Sequence, residues 1–132
     1  RTNAILLPYV IRYNGTRPSK TTTWPKYNYW KADEKFQDIA KMLGLPHSTP
    51  EEAVEAYAKA VYDLGVAVGI KMNFKDQGID EKAWKDSLHE IALLAYEDQC
   101  SPANPRLPMV ADMEEIMADA YYGYAERPGR RK

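Results

Sequence analysis

With 132 residues, a net charge of −1 and 45% hydrophobic against 28% charged residues, the chain has the size and balance of one domain that buries roughly two-thirds of its unfolded surface. Near-neutral charge argues against the strongly basic footprint of most nucleic-acid binders. The first apolar run, broken at Arg12, falls well short of the ~20 residues that a membrane span requires.

Residues 3 to 13 form an apolar helix with almost no polar side, Pro8 being either a first-turn residue or the cause of a kink. Such a helix must be buried on most sides, so partner surface beyond this chain is expected. Arg1 stands where an initiator methionine would, which leads us to expect a piece of a longer polypeptide. From Asn14 to Lys31 neither helical nor strand period is present; Asn14-Gly15, Pro18, Thr21 to Thr23 and Pro25 mark a long loop, 14–31.

A helix from about Ala32 to Leu43 carries Phe36, Ile39, Ala40 and Leu43 on one face, and Gly44 is placed to end it. The clearest start signal follows: Thr49 as cap, Pro50 in the first helical position, Glu51 and Glu52 in the first turn. Val54, Tyr57, Val61, Leu64 and Val68 then recur at three and four, giving a helix that ends near Gly69. After a connector over 70–79, Asp80 caps a helix with Trp84, Leu88, Ile91 and Ala95 as its buried stripe. Pro102, Pro105 and Pro108 make 98–108 a rigid, irregular joint. A last helix begins at Met109 or Val110 and runs through Met113, Ile116, Met117, Ala120 and Tyr124, with Gly123 disturbing its end. No segment alternates with period two, so the expected class is all-α, about five helices.

The chemistry is sparse. His47, His89 and Cys100 do not pair at ligand spacing, and Asp86 with His89 on one helical face lacks the further ligands of a metal site. Glu97, Asp98, Glu114 and Glu115 read as helix-end and surface charges. Cys100 has no base beside it in the sequence, which favours a buried, inert thiol over a nucleophile, and a single cysteine fits a reducing, cytoplasmic setting. Arg106 could grip a carboxylate, a phosphate or several backbone carbonyls. Between Arg17 and Lys31, cations interleave with Trp24, Tyr27, Tyr29 and Trp30 as on a single-stranded nucleic-acid platform, although aromatics in a long loop more often pin it to its own protein.

Three stretches together resemble the iron-containing alcohol dehydrogenases, and within them the C-terminal half of the bifunctional aldehyde-alcohol dehydrogenases: Asn3 to Asn14; Glu97-Asp98-Gln99-Cys100 through Ala103-Asn104-Pro105-Arg106 to Pro108; and Tyr121-Tyr122-Gly123. The resemblance implies that residues 1–132 are a C-terminal part of the helical, metal-side domain of a cytoplasmic parent enzyme that reduces acetaldehyde to ethanol with iron(II) and NAD. It places the metal ligands and cofactor loops upstream of Arg1, so this piece has no catalytic or metal residue, binds no cofactor alone, and has the rest of the parent as its partner. Cys100 matches a position near the active-site cleft, and Asn104, Pro105 and Arg106 match the joint between neighbouring helices. Homo-oligomeric filaments in the bifunctional branch make an assembly module the alternative role.

Overall fold

The apolar first helix runs between two helix pairs. In a computed structural model describing residues 1–18 and 30–123, the elements are α1 (Thr2–Gly15), α2 (Ala32–Met42), α3 (Pro50–Ala67), α4 (Glu81–Glu97), a short 3-10 turn (Ser101–Ala103) and α5 (Val110–Tyr122). The described residues contain no strand and form five α-helices, an all-α fold. None of the described helices is long and apolar enough to cross a membrane.

Helix ends follow local chemistry. Thr49 Oγ1 accepts the N–H of Glu52, and the Glu52 carboxylate reaches back to the N–H of Ser48, which satisfies two otherwise orphaned donors. Asp80 caps α4 through the N–H of Ala83. Gly44 and Gly69 adopt positive φ, and the N–H groups after them close back: Leu45 onto Ala40 O and Ile70 onto Gly65 O. These are paired Schellman closures, which glycine makes without a Cβ penalty.

The core has two parts, and α1 contributes to both. Its first half supplies Ile5 and Tyr9 to a cluster with Phe74, Trp84, Ala120 and Tyr121; its second half supplies Ile11 to a cluster with Val54 and Ala58. Trp84 and Tyr121 stack at 5.2 Å between ring centroids and 13° between planes, an arrangement that adds about 0.5–1.5 kcal/mol to simple burial. Tyr121, 1% exposed, directs its hydroxyl to Ile79 O at 2.9 Å. The 70–79 connector is tied in by main chain: Phe74 and Lys75 donate to the carbonyls of Ala120 and Tyr121.

Several expectations require correction. Pro8 is buried in the middle of α1, not its first turn, and Asn14 and Gly15 are the last residues of that helix rather than the start of the loop. Most of the 14–31 loop, with Trp24, Tyr27 and Tyr29, lies outside the described residues, as does Tyr124. Trp30 is described, and its indole N–H donates to Asn14 O, which pins it to the protein. On α3 the stripe holds at Val54 and partly at Tyr57 and Val61, but Leu64 and Val68 are exposed. The covered position there is Gly65, against which the buried Met72 side chain rests. Leu43 is exposed, and on α4 the residue fully covered after Trp84 and Leu88 is Ala92, while Ile91 is 39% exposed.

Candidate functional site

Beside α1, the last turns of α4, the proline-rich joint and the first half of α5 enclose an open groove of about 620 Å³. One wall is aliphatic, with Leu6 and Val10 from α1, Ile91, Leu94 and Ala95 from α4, and Met113, Ile116 and Met117 from α5; Ile91 and Ala95, expected in the core, are here instead. The other end is polar, built from Tyr13, Asp98, Cys100, Ser101 and Asn104. A mostly apolar recess with a few convergent polar groups is the usual form of a small-molecule site.

The joint itself is shaped by hydrogen bonds that its prolines leave available. The N–H of Cys100 donates to Asp98 Oδ1 at 2.7 Å, Ser101 N–H closes on Asp98 O, and Ser101 Oγ caps Ala95 O at the end of α4. Cys100 is exposed, contrary to the buried thiol expected from sequence, because the 3-10 turn that it precedes lies at the surface. Its thiol is nevertheless poorly suited to attack. A hydrogen bond to Asp98 and that carboxylate's negative charge raise its pKa, so the thiolate is scarcer than in a free cysteine.

Past the turn, the joint grips the end of α1. Asn104 and Asn14 exchange side-chain hydrogen bonds at 2.7 and 3.1 Å, and Asn104 Nδ2 also meets Arg106 O. Of the three kinds of group expected for Arg106, the structure gives it backbone carbonyls: Nη1 donates to Tyr13 O at 3.0 Å and to Thr16 O at 3.4 Å. The guanidinium also lies 4.1 Å from the centroid of the Tyr13 ring. A cation at a helix C-terminus interacts favourably with the helix dipole as well. The Tyr13 hydroxyl completes the node by meeting Leu107 O and Asp112 Oδ2, each at 3.1 Å, and Asp112 Oδ2 accepts the N–H of Met109 at the start of α5. Desolvation is the main cause that pushes the Tyr13 pKa up; Arg106 opposes it and Asp112 adds to it. The hydroxyl therefore stays protonated and serves as a donor.

Of the four residues expected at a cleft or joint, Cys100 and Asn104 line the groove, Arg106 turns away to α1, and Pro105 is exposed. Sequence reasoning missed Tyr13, Asn14 and Asp112. The one available hint was Asp112 three residues into a helix that begins with neither serine nor threonine, where a carboxylate can reach back to the first N–H groups.

The candidate metal groups stay apart. His89 Nδ1 pairs with Glu114 at 2.6 Å, Asp86 pairs with Lys82, and His47 Nδ1 meets Leu45 O. Among the described residues no three His, Cys, Asp or Glu side chains come together, so these residues do not fit an iron centre.

Comparison with known sequences gives this geometry a context. The C-terminal model of the Fe-containing alcohol dehydrogenase family matches residues 1–121. The chain is 79% identical over its whole length to an aldehyde-alcohol dehydrogenase of Streptococcus pneumoniae, of which it covers 15%. It is 56% identical over 122 residues, 92% of the chain and 14% of the relative, to aldehyde-alcohol dehydrogenase 2 of Entamoeba histolytica. A bifunctional aldehyde-alcohol dehydrogenase of Escherichia coli is 32% identical over 124 residues, again 92% of the chain and 14% of the relative. The chain thus spans about one-seventh of the length of these relatives. On the match to residues 1–121, it belongs to the Fe-containing alcohol dehydrogenase family, in that family's C-terminal region.

Proposed function

We propose that this chain is the C-terminal helical part of the alcohol dehydrogenase half of a cytoplasmic, bifunctional aldehyde-alcohol dehydrogenase, an enzyme dependent on iron(II) and NAD that reduces acetaldehyde to ethanol. The supporting observation is the 79% identity, over the whole length of the chain, to an aldehyde-alcohol dehydrogenase. In this proposal the metal ligands and the nicotinamide site belong to the rest of the parent, which is the chain's partner, in a homo-oligomer.

The chain's own contribution is a wall. The groove offers aliphatic surface from α1, α4 and α5, suited to a short alkyl group, and at its polar end the Cys100 thiol and the Asn104 amide. Cys100 lines the cleft as a small, neutral side chain, held protonated by Asp98. Asn104, Pro105 and Arg106 act as the joint that sets this wall against α1.

The test is NADH oxidation with acetaldehyde and ferrous iron, measured for the parent, for the parent lacking these residues, and for the chain alone. The expected result is turnover by the parent only. Turnover by the chain alone refutes the division of labour, and a parent inactive toward acetaldehyde and ethanol refutes the assigned reaction.

A further inference from the structure

Asn14 is the one polar side chain among the described residues that the fold buries, at 7% exposure. It sits in the last turn of α1 and faces a residue ninety positions later: its Nδ2 donates to Asn104 Oδ1 at 3.1 Å and its Oδ1 accepts from Asn104 Nδ2 at 2.7 Å. The orientation of the pair is fixed, because Asn104 Nδ2 also faces the Arg106 carbonyl, which only a donor can meet. Each amide must therefore both give and receive a hydrogen bond at the same contact. A carboxylate has no proton to give, and an alkyl chain offers neither role.

Asn104 lines the groove between Cys100 and Pro108, whereas Asn14 lies behind it, outside the groove's lining. Asn14 is the α1 side chain to which Asn104 hydrogen-bonds, and the Cys100-bearing turn ends at Asn104. We infer that Asn14 is a positioning residue, which holds Asn104 and the Cys100 turn at one distance from α1 and thereby sets the shape of the groove's polar end. Its effect on catalysis rests on the function proposed above; its effect on the shape of the groove does not.

The test uses the full-length parent, with Asn14→Ala, Asn104→Ala and the double variant. Two readouts are taken: kcat/KM for ethanol, with the aldehyde dehydrogenase activity of the same polypeptide as a measure of intact protein, and the rate of Cys100 alkylation by iodoacetamide, followed by peptide mass spectrometry. Each single variant is expected to lose about tenfold or more in kcat/KM through misplacement of the wall. The double variant should lose no more than the worse single, since both remove one shared contact. Cys100 alkylation is expected to be faster in all three.

A lower melting temperature with unchanged kcat/KM and alkylation overturns the inference, as does a double variant whose loss is the product of the singles. Where an alanine variant fails to fold, Asn14→Ser keeps a short hydrogen-bonding side chain and is expected to show the same direction with a smaller loss; wild-type values from it also overturn the inference. If the wild-type parent oxidises no alcohol, the proposed function has failed, and the alkylation rates alone decide whether Asn14 positions the turn.

Discussion

Replacing Arg106 with alanine isolates the grip of the joint on α1. The variant loses a charged hydrogen bond to Tyr13 O at 3.0 Å, a class of contact worth about 1.5–3 kcal/mol. It also loses the guanidinium over the Tyr13 ring at 4.1 Å, worth about 0.5–1 kcal/mol where the site is partly exposed. The contact to Thr16 O at 3.4 Å is at the limit of hydrogen-bond length and adds little. The expected loss is therefore about 2–4 kcal/mol, which for a chain of this length lowers Tm by about 6–15 °C. Arg106→Lys keeps a cation near the end of α1 but has no planar fork to lie on the ring while bonding a carbonyl, so it should recover less than half of the loss. Circular dichroism at 222 nm, in thermal and guanidinium titrations, measures both. An alanine variant within about 0.5 kcal/mol of wild type, the range of an ordinary surface change, would refute the grip. A lysine variant equal to wild type would show that charge alone matters.

Two glycines should fail for opposite reasons. At Gly15 an added Cβ would meet Val54 at 2.5 and 2.7 Å and Phe36 at 3.2 Å; the stiff, buried valine cannot yield, and Gly15→Ala is expected to cost a net 1–2 kcal/mol or so after its gain in helix propensity. At Gly44 nothing lies within 4 Å and φ is +68°, so Gly44→Ala should cost about 1 kcal/mol in backbone strain alone, and Gly44→Asn should recover part of it because asparagine tolerates this region. Chemical denaturation of the set checks both, and asparagine that helps at Gly15 rather than Gly44 would contradict the assignment. The Glu52 pKa is lowered chiefly by the Ser48 N–H that its carboxylate accepts. Its stabilisation is accordingly present above the ordinary value of 4.5 and lost as pH falls through the lower folded value. The Tm difference between wild type and Glu52→Gln should be positive at pH 7 and vanish in acid; a difference that grows in acid would reverse the sign of the reasoning.

The sequence showed helix ends well and buried faces less well, and the reason lies in which residues touch. Capping at Thr49 and Asp80, and termination at Gly44 and Gly69, depend on partners within a few positions, so their chemistry is visible in a short window. Burial depends on what lies across the gap. Following the large apolar residues led to Leu64, Val68, Leu43 and Ile91, all of which are exposed. Among the described core residues, those with no exposure at all are Ala40, Ala53, Ala58, Ala92 and Ala120. Where two helices approach most closely only a methyl fits between them, so the contact line is marked by small residues and the large ones flank it. The exposure of Ile91 and Leu94 on α4 is better accounted for by the groove they border than by any error in period.

The site was the least visible feature, since its decisive contacts join residues 90 to 99 positions apart. Cys100, Asn104 and Arg106 stood out because prolines surround them, and the resemblance named the same stretch. Their partners did not. Asn14-Gly15 has the local chemistry of a turn and so suggested that α1 stopped before it. The helix continues through both because distant groups take over its last carbonyls: Trp30 bonds Asn14 O, and Arg106 bonds Tyr13 O. A turn-forming asparagine that the fold holds in a helix, buried and paired, has given up solvent for a single geometry. The residues that overrule local propensity here are therefore the ones that fix where the joint stands.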